Sequence, residues 1–150
     1  MMCNSWLKIG LVSFCVLALL GVQTSMADDN ADGLKKLNGE WAVVSMEVAG
    51  RKLPDAAAKA IKLVNKDGEY TVTAESDDKG MFTVDVSKTP KTMTIKGADG
   101  PNKGKTFLCI YELNGDEMKI CYDLTGKEHP KEFKTEAGKV HMLATYKKVK

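Results

Sequence analysis

Leu37-Asn38-Gly39-Glu40-Trp41-Ala42-Val43-Val44-Ser45 decides the fold of this chain. A glycine followed two residues later by tryptophan opens a run rich in β-branched residues, which reads as the start of a first β-strand. Gly39 lets the incoming backbone turn sharply or approach another segment closely. Trp41 carries enough apolar surface to close the floor of a small barrel. Both are therefore structural candidates.

What precedes this run sets a compartment. Lys8 supplies a positive start, Ile9–Val22 an apolar core, and Ser25-Met26-Ala27 the small residues a signal peptidase needs. The apolar core falls short of the roughly 20 residues that span a bilayer. Residues 1–27 thus read as a cleavable export signal, 28–36 as a polar leader, and 37–150 as a single domain. Export places the protein in the periplasm or outside the cell, with no stable membrane insertion after cleavage. Of the 22 basic side chains, Lys8 leaves with the signal, so 21 face 20 acidic ones. The two signs are interspersed along the chain, whereas nucleic-acid binding needs a basic cluster.

From Trp41 onward the apolar period is close to two. Strands are predicted at Glu40–Val48, Ile61–Asn65, Glu69–Glu75, Gly80–Val86, Thr92–Lys96, Thr106–Leu113, Met118–Leu124 and Lys139–Val149. Glycine- and aspartate-rich turns separate them, among them Lys66-Asp67-Gly68 and Asn114-Gly115-Asp116. Asp55–Ala60 is the one helical piece, with Pro54 as its start signal. Eight short strands at near-regular spacing predict an all-β, eight-stranded antiparallel up-and-down barrel of lipocalin or calycin type, with one short helix after the first strand. Closure removes the exposed edges that an open sheet would leave.

The Thr106–Leu124 hairpin fixes its own register. With Gly115 and Asp116 as central turn residues, Leu113 faces Met118, Tyr111 faces Ile120, Cys109 faces Tyr122 and Phe107 faces Leu124. The other face pairs Glu112 with Lys119 and sets Ile110 beside Cys121. A slip of one residue would oppose Glu112 and Met118 and break the pattern. This register sends Cys109 and Cys121 to opposite faces, a geometry no disulfide spans. Two unpaired thiols follow, each read as a small packed hydrophobe.

Catalytic patterns are missing. Gly100-Pro101-Asn102-Lys103-Gly104-Lys105-Thr106 imitates a phosphate-binding loop, but Asp99 stands where the first glycine belongs and a strand follows instead of a helix. His129 and His141 have no catalytic or metal-binding motif around them. The acidic turn residues, Asp77-Asp78 included, read as turn formers. No catalytic residue, metal ligand or cofactor is assigned.

The apolar residues bear most on binding. Met46, Met81, Met93, Met118 and Met142 fall within or at the ends of predicted strands, and methionine makes a deformable lining. Tyr70, Phe82, Met93, Tyr111, Met118 and Tyr122 are the candidate ligand-binding residues of the barrel interior. Against this, an eight-stranded barrel is just wide enough for its own side chains to fill it, and a filled or nearly filled interior is the expectation.

Several matching segments share an order and spacing. They include Leu37, Gly39, Trp41 and Val43-Val44-Ser45, then Gly50, Leu53-Pro54 and Tyr70-Thr71-Val72. Ser87-Lys88, Pro90-Lys91, Gly100–Thr106, Ile110-Tyr111-Glu112-Leu113, Gly115-Asp116 and Lys119-Ile120-Cys121 continue the set, which Pro130, Phe133 and Lys147 complete. On these residues the chain resembles a small lipocalin-like β-barrel domain family of unknown function, found mostly in planctomycete-type bacteria. The resemblance implies the eight-stranded barrel with its short helix, and it carries no established activity. Two functional expectations stand. One is an exported, non-enzymatic barrel that binds a small apolar or amphipathic molecule. The alternative is a cell-envelope protein-interaction module whose barrel is filled.

Overall fold

The computed structural model describes residues 25–150. The predicted export signal therefore lies outside the described residues, apart from Ser25–Ala27. The elements run α1 (Met26–Lys36), β1 (Gly39–Val48), β2 (Arg51–Lys52), α2 (Asp55–Lys59), β3 (Lys62–Lys66), β4 (Glu69–Thr73), β5 (Asp78–Asp85), β6 (Lys91–Asp99), β7 (Thr106–Asn114), β8 (Glu117–Asp123) and β9 (His141–Lys148). Each of β3 to β8 pairs antiparallel with the next, and β1 pairs with both β3 and β9. The result is a closed eight-stranded antiparallel barrel. The two-residue β2 is one strand more than the sequence reading predicts, folded back on the end of β1.

Closure rests on β1. Its start pairs with β3 from Gly39 to Ala42, while β9 runs along most of its length. The register with β9 shifts between Val43 and Ser45, so Val44 forms a bulge and turns outward. A bulge sharpens local twist, which helps one strand serve two neighbours. Gly39 has φ +128°, a region closed to most L-residues, so the glycine serves backbone conformation there. Trp41 is 1 % exposed, and its indole N–H donates to the Leu37 carbonyl at 2.9 Å. Lys148 lies over the ring at 5.3 Å from its centroid.

The β7–β8 register is the predicted one: Leu113 opposes Met118, Tyr111 Ile120, Cys109 Tyr122 and Ile110 Cys121. Glu112 and Lys119 form the expected cross-strand ion pair at 3.1 Å. Both cysteines are free and buried. Cys109 points into the barrel. Cys121 and Ile110 face outward, where the 124–140 segment covers them. Cys121 Sγ donates to the Lys134 carbonyl at 3.6 Å, and His129 Nδ1 meets the Cys109 carbonyl at 2.9 Å. Asp123 anchors the start of that segment by accepting from the backbone N–H groups of Thr125, Lys127 and Glu128 and from the Thr125 hydroxyl.

The 28–36 stretch departs from expectation. Read from the sequence as a polar leader, it lies within α1, which Ser25 caps by accepting from the Ala27 N–H. Asn30 accepts from the Val86 N–H at 2.9 Å, and Leu34 packs on the core. A Cβ on Gly33 would stand 2.6 Å from Val86 Cγ1, so the helix sits as close as a glycine permits. α1 thus covers one end of the barrel, where β1 begins and β5 ends. α2 holds at Asp55–Lys59 as predicted, and it packs against β1 with Ala58 buried.

Candidate functional site

Strand alternation decides what the barrel can hold. On β5 the buried positions are Asp78, Gly80, Phe82 and Val84, and on β6 they include Met93 and Ile95. Toward α1 these inward residues fill the interior. Toward the other end, where β1, β4 and β6 finish and β5, β7 and β9 start, they leave a cavity of about 420 Å³. That volume lies within the range of small-molecule sites. The expectation of a filled interior therefore fails at this end. Tyr111 and Met118 pack the interior toward α1, while the cavity lies toward the end where α2 connects β1 to β3.

Most of the wall is apolar, with Met46, Leu63, Val72, Phe82, Met93, Ile95, Phe107, Ile120 and Met142 prominent. Four of the predicted binding residues, Tyr70, Phe82, Met93 and Tyr122, line it. Tyr111 and Met118 do not. They share the inward face of β7 and β8 but sit nearer the closed end, packed into solid core. A Cβ on Gly33 of α1 would lie 3.7 Å from the Tyr111 hydroxyl. Burial, followed by the charge of Asp85, pushes that hydroxyl up to about 12. Met81, on the outward face of β5, is exposed and takes no part.

The polar part of the wall centres on Asp78, the first residue of β5, which is 7 % exposed. Its Oδ2 accepts from the Tyr70 hydroxyl and from Asn102 Nδ2–H, each at 3.0 Å, and its Oδ1 accepts from the Asn102 backbone N–H at 3.1 Å. Burial first, then this hydrogen bond and the nearby carboxylate charge, hold the Tyr70 hydroxyl far above its ordinary range. Asn102 comes from the segment that imitates a phosphate loop. That segment folds back on itself, with Gly97 N–H donating to the Lys105 carbonyl and Gly104 N–H to the Gly97 carbonyl, both at 3.0 Å. The fold-back needs a glycine at 97, because a Cβ there would lie 1.9 Å from the Asn102 carbonyl oxygen. Gly80 similarly clears space for Tyr70, whose ring lies 2.6 Å from where a Cβ would be.

A second polar pair lies on the wall. The hydroxyls of Tyr122 and Tyr146 are 2.8 Å apart, and burial pushes both up, Tyr146 to about 12. One hydroxyl hydrogen bridges the pair, which leaves the other free to donate.

Asp78, Asn65 and Asn102 escaped the sequence reading. Asp78 was readable in principle, because the inward alternation of Phe82 continues back through Gly80 to it. Among the described residues no group of three or more His, Cys, Asp or Glu is placed to hold a metal ion, and no helix is long and apolar enough to cross a membrane. No protein-family model, curated protein or solved structure matches this chain.

Proposed function

We propose that this protein is an exported, lipocalin-like barrel that binds one small, mostly apolar molecule in the open end of its interior and catalyses no reaction. The observation that carries the reading is the cavity of about 420 Å³ with its apolar wall and one polar corner. An apolar-walled volume of this size gains by replacing water with a hydrocarbon ligand. Burial pushes up the hydroxyls of the tyrosines around the cavity, Tyr70, Tyr122 and Tyr146, so they serve the wall as neutral hydrogen-bonding groups. The interaction-module alternative is paired with a filled barrel, and the cavity weighs against that form of it.

Titration with the neutral fluorophore N-phenyl-1-naphthylamine tests the reading. Saturable enhancement at about one probe per chain is expected, and a linear, non-saturating response would sink it. Export is tested separately by the mass of the mature chain, which should begin at Asp28 if the signal is removed after Ala27. An intact N-terminus on protein recovered from the envelope would refute cleavage.

A further inference from the structure

Among the described residues that line the cavity, Asp78 is the one charged side chain. Its three hydrogen-bond donors, the Tyr70 hydroxyl and the two N–H groups of Asn102, are all neutral. Among the described residues it forms no salt bridge. The lysines nearest in sequence and across the sheet, Lys79, Lys96 and Lys103, are exposed rather than turned into the cavity. A carboxylate offers about four acceptor positions, and three are taken. The cavity therefore holds a negative charge that its surroundings orient but do not neutralise, with acceptor capacity to spare.

From this we infer that the cavity selects amphiphiles with a cationic, hydrogen-bond-donating head, such as a primary amine, and discriminates against carboxylates of the same chain length. The inference rests on the proposed binding function and names the ligand class for that site. An ammonium head supplies the missing counter-charge and donates into the free acceptor position, while its hydrocarbon chain occupies the apolar wall. A fatty-acid head would set two carboxylates together in a site largely shielded from water, where like charges repel more strongly than in solution. The Asn102 segment sharpens the choice. It holds Asp78 from the rim side, so the carboxylate cannot swing out to solvent without breaking three hydrogen bonds.

The test is competition at neutral pH. Wild-type protein loaded with N-phenyl-1-naphthylamine is titrated with dodecylamine, dodecanol and dodecanoate, each below its micelle concentration. Dodecylamine should displace the probe at a concentration roughly tenfold or more below dodecanoate, with the alcohol between them. In Asp78→Asn the gap between amine and carboxylate should shrink to about twofold while the probe still binds. The Tyr70 hydroxyl can turn to accept from the new amide, so this variant keeps much of the network. If a thermal melt shows that it does not fold, the wild-type ranking decides alone. Equal or better displacement by dodecanoate would overturn the charge preference and leave the binding cavity standing. Absence of saturable probe binding would remove the cavity reading and the preference with it.

Discussion

The two ends of this barrel are built from the same eight strands with the same alternation, yet one is solid and the other hollow. At the α1 end, Leu37 and Trp41 are almost wholly buried, Tyr111 and Met118 fill the interior, and Gly33 lets the helix sit directly on Val84 and Val86. At the other end the inward positions of β4 and β5 run out in Val72, Gly80 and Asp78, beside the cavity. Strand number sets the barrel's width. Whether that width is filled depends on which side chains the alternation delivers at each level. The largest expected effect lies at the solid end. Trp41→Ala should cost ~3–5 kcal/mol in urea unfolding, because it removes a large buried ring and the partner of the Leu37 carbonyl. A loss below ~1 kcal/mol, the scale of surface substitutions, would mean that the ring closes nothing.

The same truncation logic should give less where a side chain borders the cavity. Leu63 is buried and lies opposite Trp41 in the β1–β3 ladder, but part of its surface borders the cavity. Atoms facing a void already lack partners on one side, so deleting them forfeits fewer contacts. Leu63→Ala is therefore expected at about 2 kcal/mol, the low end for buried leucine. A cost matching Trp41→Ala would show that Leu63 gains nothing in tolerance from the cavity beside it.

An acid titration probes the hollow end from outside, through Asp123 at the end of β8. Burial alone would raise its carboxyl, but hydrogen bonds from Glu128, Thr125 and Lys127 outweigh that and hold it at about 2, below its ordinary 3.8. A carboxylate depressed in the folded state stabilises it above the unfolded value, and that contribution disappears as pH falls through the folded one. Stability on the order of 1–2 kcal/mol should thus be lost between about pH 4 and pH 2. Asp123→Asn should flatten that limb of the urea-midpoint profile, and an unchanged limb would exclude Asp123 as its source.

How far the sequence foretold this contrast depends on which residues carried two independent signals. The Thr106–Leu124 hairpin was legible because its Gly115-Asp116 turn and its Glu112–Lys119 pair demanded the same register. The eight barrel strands and the helix after Pro54 followed from period and punctuation. α1 did not, because Asp28–Gly33 is polar and contains a glycine. Its docking partners Val84, Val86 and Tyr111 lie far along the chain, so the helix is held by tertiary contacts. The cover over Ile110 and Cys121 was equally hidden, since the 124–140 segment has no period to read. The candidate site was half legible. Inward aromatic and methionine positions were identified, but their depth along the barrel was not, and depth separates Tyr122, on the cavity, from Tyr111, in the core. Asp78 was missed because an acidic pair before a glycine has the composition of a turn, while its burial depends on Asn102 returning from another loop.

The smallest expected change in stability would sharpen the comparison most. Val72 is a half-buried residue of β4 on the cavity wall, opposite Asp78 in the ladder with β5. In a packed core, valine to phenylalanine would force neighbours aside at a cost of ~1–3 kcal/mol. Beside a void, the added ring has room, and the apolar surface it buries offsets the entropy of fixing it. Val72→Phe should therefore leave the urea midpoint within about 1 kcal/mol of wild type while abolishing saturable binding of N-phenyl-1-naphthylamine. Loss of both stability and binding would say that the cavity is too tight to accept a ring. Retention of both would place the probe elsewhere on the molecule. Only unchanged stability with lost binding is the signature of empty space that a ligand, rather than the protein's own side chains, is shaped to fill.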